Sequence, residues 1–380
     1  MTGGQSKGMS PGFSVRLHAS DYDPSRHRAF VIGGDVGGTN INLMLAGVGD
    51  EPEMVASLHF ATKDHRTLRG PLKETLAYCQ REYSRPVRGI ALAVAGPVRE
   101  HRWCRLTNAD LTVDADEIRD AFGLETIVIN DFEALGFAIP LLERRYPQSL
   151  SPLERERAAV LPPKDAAGDS RRVRAVLGPG TGLGKSILVY DRAMGFHIPL
   201  PSEGGHTDFP AQDQRQWELV EYVKGKAHIS SVAYEDLLSG RGLASLYSFL
   251  RLKENHPETR FTREIDAAEY KAPVISRYWT EDTYARRASE LFVELLAQCA
   301  RNLALEVLAL GGVYLAGGIA IRNPGWFTGG RFIGEFENHP TYRHLLQKMP
   351  VHLITDYDAS MYGAALVALK AEPLKEIWLS

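Results

Sequence analysis

The chain has 380 residues, about two and a half times the ~150 residues typical of one domain, so its length predicts two domains. Lys and Arg total 44 against 47 for Asp and Glu, and this near-balance argues against nucleic-acid or membrane-surface partners. A hydrophobic share of 44% supports a large core and excludes a disordered chain. The cysteines, Cys79, Cys104 and Cys299, are too widely spaced for a disulfide framework, and no apolar run is long enough for a membrane span. We therefore predict a soluble, cytoplasmic protein.

Residues 1–28 are rich in Gly, Ser, Asp and Arg without a sustained period, so we predict a flexible leader there. From residue 29 the predicted order is three strands, a helix, a strand, a helix and a strand, which is typical of an α/β domain with a mixed sheet. The predicted strands are Ala29–Ile32, Ile41–Leu45, Met54–Phe60, Val87–Val94 and Thr126–Ile129, and the first predicted helix is Pro71–Tyr83.

A polar segment from about Glu143 to Arg174 is predicted to be a surface connection into a second domain. Beyond it, a strand, a glycine cluster and a strand follow one another, as they do near residues 30–45, which suggests two domains built on one plan. The later predictions are strands at Val173–Leu177, Ile187–Tyr190 and Gly312–Ile319, a long helix between Tyr284 and Leu310 with Thr280 as N-cap, and a closing helix Ser360–Leu369.

The second glycine cluster resembles two common phosphate loops but fits neither. A P-loop requires glycine where Pro179 stands and a helix where a strand is predicted, and the dinucleotide pattern requires glycine where Lys185 stands. We predict instead that each cluster is the bend of a β-hairpin. The two bends, Asp35–Thr39 and Gly180–Gly182, would clasp a nucleotide triphosphate across an interdomain cleft, since backbone N–H groups close on an anion where no Cβ intervenes.

Six blocks in order, spread over residues 31–369, closely resemble the bacterial-type glucokinases of the actin-like ATPase and hexokinase superfamily. The zinc cluster of the neighbouring ROK sugar kinases needs three cysteines after the phosphate loop, so the resemblance is to the zinc-free glucokinases. The blocks are Gly34–Asn40, Asn130–Ala134, Gly178–Gly184, Ser202–Phe209, Leu238–Leu243 and Leu315–Ile319.

The resemblance implies a fold class and a domain division. The implied fold is α/β, a two-domain actin-like ATPase (ribonuclease H-like) fold with an interdomain active-site cleft. The small α/β domain is expected at residues 29–140, completed by a C-terminal helix at residues 359–380. The large domain is expected at residues 141–358.

Asp131 is the candidate catalytic base because it follows a buried strand, at the end where an α/β sheet places its ligands. An alternative reading of this residue is a helix N-cap. The resemblance favours the base, since the matching aspartate accepts the proton of the sugar 6-hydroxyl. Asn130, beside it, offers a donor and an acceptor suited to a hydroxyl.

Glu203 and His206 lie three positions apart around two glycines, and two candidate ligands without a third are weak evidence for a metal. By sequence alone, Glu235 could equally be a solvated acid on a helix, and Asn108 a turn residue. The resemblance implies that these residues bind glucose. The implied sugar set is Asn108, Asn130, Asp131, Glu203, His206 and Glu235.

The resemblance also implies that Asp35 orients Mg²⁺ through water, which suits an ion that keeps its hydration. Two departures from the family pattern stand nearby: Asn42, where many relatives carry arginine, would weaken a charged contact near the phosphates, and Lys185 would add one. The implied ATP set is Asp35, Gly37, Gly38, Thr39 and Asn40 of the first loop, Gly180, Thr181 and Gly182 of the second, and Gly317 and Gly318 against the adenosine.

The predicted function is ATP-dependent phosphorylation of D-glucose to glucose 6-phosphate, with ATP and Mg²⁺ as cofactors. Two alternatives stay open: a kinase for another hexose, such as mannose or a hexosamine, and an actin-like ATPase that phosphorylates no sugar. A homodimer and another phosphoryl donor are also left open.

Overall fold

A computed structural model describes residues 6–10, 12–18, 22–106, 109–153 and 171–378. The chain divides into two units. The first comprises residues 1–147, 191–199 and 357–380, and the second comprises residues 148–190 and 200–356. The predicted domain boundaries near residues 140 and 358 remain predictions. Within the described ranges, no helix has both the length and the apolar character needed to cross a membrane.

The strands are β1 Ser6–Ser10, β2 Phe13–Leu17, β3 Phe30–Val36, β4 Asn40–Gly47, β5 Glu53–Ala61, β6 Val87–Val94, β7 Val98–Arg99, β8 Trp103–Arg105, β9 Thr112–Asp114, β10 Thr126–Asn130, β11 Leu150–Pro152, β12 Arg174–Pro179, β13 Leu183–Asp191, β14 Phe196–Ser202, β15 Val313–Leu315 and β16 Val351–Ile354. The helices are α1 Arg69–Tyr83, α2 Ala115–Phe122, α3 Asp131–Arg145, α4 Gln214–Ala227, α5 Tyr234–Leu237, α6 Gly240–Lys253, α7 Arg260–Ala267, α8 Lys271–Arg277, α9 Thr283–Val307, α10 Gly317–Arg322, α11 Arg331–Phe336, α12 Arg343–Leu346, α13 Ala359–Leu369 and α14 Ala371–Trp378.

The first unit is built on a mixed sheet with the order β1-β2-β5-β4-β3-β6-β10. Strands β3, β6 and β10 run parallel, so their carboxyl ends meet at one edge, while β3, β4 and β5 form antiparallel hairpins. Strands β3 and β6 are buried along nearly their whole length because α13 packs on both, and α3 packs on β6 and on α13. This edge carries Asp35 and Asp131.

The second sheet has the order β11-β16-β15-β12-β13-β14, and it belongs to the second unit except for residues 191–199 of its last hairpin. Strands β16, β15 and β12 run parallel, and β12 turns back antiparallel into β13. The long helix α9 lies in the core and packs against α6 and α11, because apolar residues recur along it at helical spacing. The glycine bend that follows β12 lies beside the first residues of α6 and α10.

Most predicted elements are confirmed, including both glycine clusters as hairpin bends. Three predictions are wrong. Residues 13–17, predicted as part of a flexible leader, form β2, which pairs with β5 and buries Val15. The predicted strand Gly312–Ile319 stops at Leu315, because Gly317 has a φ of +81° that starts α10. The N-cap of α9 is Asp282, not Thr280, since the Asp282 side chain accepts a hydrogen bond from the N–H of Ala285.

Candidate functional site

The first glycine bend joins β3 to β4 in the first unit. The Gly37 N–H donates to the Asn40 carbonyl at 2.9 Å, and Thr62 fastens the bend by donating its hydroxyl to the Gly37 carbonyl at 2.8 Å. Gly38, Thr39 and Asn40 are exposed at the tip. The bend therefore presents backbone donors and one hydroxyl to solvent, which is the chemistry that binds phosphate oxygens.

Asp131 is the first residue of α3, and Asn130 is the N-cap. The Asn130 side chain accepts a hydrogen bond from the Phe132 N–H at 2.8 Å, and Asp131 Oδ1 accepts from the same N–H at 3.0 Å. The capping role that sequence leaves open for Asp131 therefore belongs mainly to Asn130. One oxygen of the Asp131 carboxylate is held against the helix start.

Asp35 and Asp131 lie at the carboxyl ends of β3 and β10, where the charge of Asp35 acts on Asp131. Burial raises the pKa of Asp131, and the charge of Asp35 raises it further, to about 7. Burial also raises the pKa of Asp35, although the Ser360 hydroxyl donates to Asp35 Oδ2 at 3.0 Å and opposes the rise. Two such carboxylates form a centre of negative potential suited to a proton or a divalent cation.

In the second unit, the bend between β12 and β13 lies against two helix starts. The Gly180 N–H donates to the Gly182 carbonyl at 2.7 Å, and the N–H of Gly240, which opens α6, donates to the Gly180 carbonyl at 2.9 Å. Gly317, which opens α10, is so close to β12 that a Cβ would lie 2.6 Å from the Pro179 carbonyl oxygen. The predicted phosphate and adenosine glycines are thus neighbours within this unit.

The acids predicted to bind sugar gather beside this bend. His206 Nε2 lies 3.9 Å from a carboxylate oxygen of Glu203 and 3.9 Å from one of Glu235. Glu203 and His206 are open, with 91% and 61% of their side chains exposed. Glu235 is largely buried, and it accepts a hydrogen bond from the Leu183 N–H at 3.0 Å. It is therefore tied to the hairpin, contrary to the reading of a solvated helix acid.

The turn that carries Glu203 and His206 depends on the absence of a side chain at Gly205. A Cβ on Gly205 would lie 2.1 Å from the carbonyl oxygen of Leu183, so only glycine allows this approach to β13. The Thr207 hydroxyl donates to the Gly204 carbonyl at 2.8 Å and closes the turn. The turn is therefore anchored on the same hairpin that bears the glycine bend.

Sequence reasoning missed two supporting residues. Ser360 holds Asp35, and Arg241 donates to Glu235 Oε1 at 2.9 Å and to Asp236 at 3.1 Å. Arg241 lies inside the block Leu238–Leu243 that resembles the family, so the sequence offered a reason to consider it. Ser360 lies 325 positions after Asp35, and no sequence pattern links the two. Asn108 lies outside the described residues. The other predicted site residues form two groups, one within each unit.

The two departures from the family pattern have partners of their own. The Asn42 amide oxygen lies 2.8 Å from His59 Nδ1, and His59 Nε2 lies 3.0 Å from the Ser57 hydroxyl. Lys185 is buried, and its ammonium lies 4.6 Å from the centre of the Tyr234 ring. The expectation that Lys185 adds a charged contact near the phosphates is therefore wrong, because the ammonium packs inside the unit.

Comparison with known proteins gives concordant results. The family model described as Glucokinase matches residues 32–371. A glucokinase of Photorhabdus laumondii is 31% identical over 339 residues, covering 87% of this chain and 94% of that protein. The crystal structure of a glucokinase from an Antarctic psychrotroph superposes with a TM-score of 0.71 at 25% identity, covering 90% of this chain and 99% of that one.

A ROK-family glucokinase from Streptomyces griseus, solved in complex with glucose and AMPPNP, has a TM-score of 0.55 at 18% identity. The superposition covers 90% of this chain and 99% of the Streptomyces griseus chain. Because the sequence identity is low, this match bears on the fold alone. Together these likenesses confirm the predicted actin-like ATPase fold class.

Proposed function

Because the chain belongs to the glucokinase family, we propose that the residues described above carry out the reaction of that family. The protein is an ATP-dependent kinase that phosphorylates D-glucose. The observation that carries the residue assignment is the gathering of Glu203, His206 and Glu235 beside a glycine hairpin. An ATPase that phosphorylates no sugar has no need of such a set.

Asp131 is assigned the role of general base on the 6-hydroxyl of glucose. Its position at the carboxyl end of β10 supports this role, as does a pKa raised to about 7 by burial and by Asp35. A base whose pKa lies near neutrality both accepts a proton and is ionised in a useful fraction of molecules. Asn130, beside it, has an amide group that can also contact the sugar, although its oxygen caps α3.

Glu203, His206 and Glu235 are assigned to the ring hydroxyls of glucose. Carboxylate oxygens accept from hydroxyl groups, and each carboxylate can serve two neighbouring hydroxyls. Glu203 is open to a ligand, while Glu235 is held in place by Leu183 and Arg241. Glu235 therefore fixes one edge of the sugar site, and Glu203 is accessible to a ligand.

ATP is assigned to the two glycine hairpins, with Thr39 and Thr181 at their exposed tips and Gly317 and Gly318 beside the second bend. Asp35 would hold Mg²⁺ through water, and the charge of Asp35, which raises the pKa of Asp131, supports a cation at this point. When bound, Mg²⁺ neutralises charge on the β- and γ-phosphates during transfer. The residues align the attacking oxygen and remove its proton.

The test of the function is glucose-dependent release of ADP from Mg-ATP by the purified protein. A coupled assay measures the ADP that is released. The same assay with mannose, glucosamine and other hexoses decides which sugar has the highest kcat/KM. ADP release that is fast and independent of any sugar would identify an ATPase and contradict the proposal. A much higher kcat/KM for another hexose would keep the kinase and change its substrate.

Glu203→Gln and His206→Ala should each raise the KM for glucose by about 10–100-fold, because a hydrogen bond to a charged group contributes about 1.5–3 kcal/mol. ATP binding without sugar should stay unchanged. Steady-state kinetics and ATP titration measure the two effects. Glu221→Gln on α4, another exposed acid, is the control and should behave as wild type. Stoichiometric zinc required for activity would favour a metal site instead.

The acidic limb of kcat/KM for glucose should lie near pH 7. Asp131 must be ionised to act as a base, and its pKa is about 7. As the pH falls through that value Asp131 becomes protonated, so kcat/KM should fall about tenfold for each further pH unit. The profile is measured with glucose and Mg-ATP both below saturation, because it then reports the ligand-free enzyme. The same limb in the residual activity of Asp131→Asn would show that another group titrates.

A further inference from the structure

The side chain of Lys185 is buried in β13, with only 6% of the residue exposed. Within the described parts of the chain, no carboxylate forms an ion pair with it. A buried ammonium without a carboxylate is costly unless other groups stabilise it, so its neighbours indicate why it is there. The mechanism proposed above gives this lysine no role.

The ammonium of Lys185 lies against an aromatic face, and its charge acts on a nearby thiol. It lies 4.6 Å from the centre of the Tyr234 ring, where the ring quadrupole attracts a cation. The hydroxyl of this ring accepts a hydrogen bond from Asn302 Nδ2 at 2.7 Å. Burial raises the pKa of the Cys299 thiol to about 11, although the charge of Lys185 opposes the rise. Lys185 is therefore anchored at its tip.

The stem of Lys185 lies against the turn that carries two of the sugar residues. A Cβ built on Gly204 would lie 3.0 Å from Lys185 Cδ and 3.6 Å from its Nζ. Gly204 is flanked by Glu203 and is the first residue of the short 3-10 turn Gly204–His206. Since Glu203 and His206 are open to solvent, Lys185 contacts the buried side of this turn.

The tip of Lys185 lies against the segment that carries the third sugar residue. Tyr234 directly precedes Glu235, and the Tyr234 N–H donates to the Thr207 carbonyl at 3.1 Å. One side chain thus lies against both segments of the sugar set, beside Gly204 and over the Tyr234 ring. These are the two segments whose relative position fixes the distances from His206 to Glu203 and to Glu235.

We propose that Lys185 is a positioning residue for glucose recognition, which joins the Glu203–His206 turn to the Tyr234–Glu235 segment from their buried side. This inference rests on the proposed function, because it assigns a support to the sugar residues named there. Lys185 touches neither the sugar nor the phosphates in this role. It acts through Gly204 and Tyr234.

The test is Lys185→Met, which keeps a long apolar stem and removes the charge. We expect the KM for glucose to rise about tenfold, with kcat and the KM for ATP within about threefold of wild type, since only the positions of the sugar groups change. Isothermal titration with glucose should show the same loss. The control is Arg174→Met, which removes another buried cation of the same sheet, at the start of β12. It should lower stability without changing the KM for glucose.

A second pair of variants covers the case in which Lys185→Met does not fold. Tyr234→Leu removes the ring face and should raise the KM for glucose, whereas Tyr234→Phe keeps the face and should not. An unchanged KM for glucose in Lys185→Met or in Tyr234→Leu would overturn the inference, as would an equal loss of ATP binding. Wild-type protein without glucose kinase activity would overturn the proposed function and this inference with it. An active wild type with an unaffected Lys185→Met would overturn the inference alone.

Discussion

Asp131→Asn should lower kcat by about 10²–10⁴-fold while glucose still binds, because losing a general base costs about that much in rate. The amide is almost the same size as the carboxylate and can still accept from the Phe132 N–H, so α3 should begin at the same residue. It cannot accept the proton of the 6-hydroxyl at neutral pH. Single-turnover kinetics together with glucose titration separate the lost rate from retained binding.

The matched control is Asp120→Asn, on the exposed face of α2 in the same unit. It removes one acidic charge at the surface and should leave kcat unchanged. Near-native turnover by folded Asp131→Asn would contradict the assignment of the base. Loss of glucose binding in parallel with kcat would instead make Asp131 chiefly a ligand of the sugar.

Gly363→Ala should destabilise the protein by about 3 kcal/mol or more, at the upper end of overpacking effects. Gly363 lies where α13 crosses α3, and a Cβ there would lie 1.7 Å from the Ala134 carbonyl oxygen. Alanine is favoured over glycine inside a helix by only about 1 kcal/mol, so the clash with backbone outweighs the gain in propensity. The expected result is a large fall in the thermal unfolding midpoint of the first unit, or insoluble protein.

The effect of Gly363→Ala should extend to activity, because the two helices that it separates carry the proposed base and the residue that supports Asp35. Asp131 opens α3, and Ser360 at the start of α13 donates to Asp35. The control is Gly225→Ala in α4, where a Cβ would meet nothing within 4 Å. That variant should be neutral or slightly stabilised. Equal stability of the two variants would mean that α13 moves away from α3 without cost.

Elements with a strong local pattern could be predicted from the sequence. Strand β6 has the predicted bounds Val87–Val94, because an unbroken apolar run is typical of a buried parallel strand. The hairpins at Gly37 and Gly180 follow from glycine clusters flanked by apolar runs. The boundary at Gly317 could not be placed, because its backbone approach to Pro179 involves a partner far away in sequence.

The identity of the family and the candidate residues were determined by the sequence itself, since motif order is preserved along the chain. The pKa values, positions and burial of these residues were decided only by tertiary structure. The pKa of Asp131 depends on Asp35, nearly a hundred positions earlier, and on burial by the fold. The position of Glu235 depends on Leu183, and the burial of Lys185 depends on Tyr234.

The physical reason for this division lies in the range of the interactions. Helix periodicity, strand runs and turn chemistry act over a few neighbouring residues, so they can be read in one dimension. Desolvation, charge–charge repulsion and cation–π contacts act through space between residues that only folding brings together. The sequence by itself therefore determined which residues are candidates for phosphoryl transfer, and the tertiary structure decided which have shifted pKa values, which are held in place and which are buried.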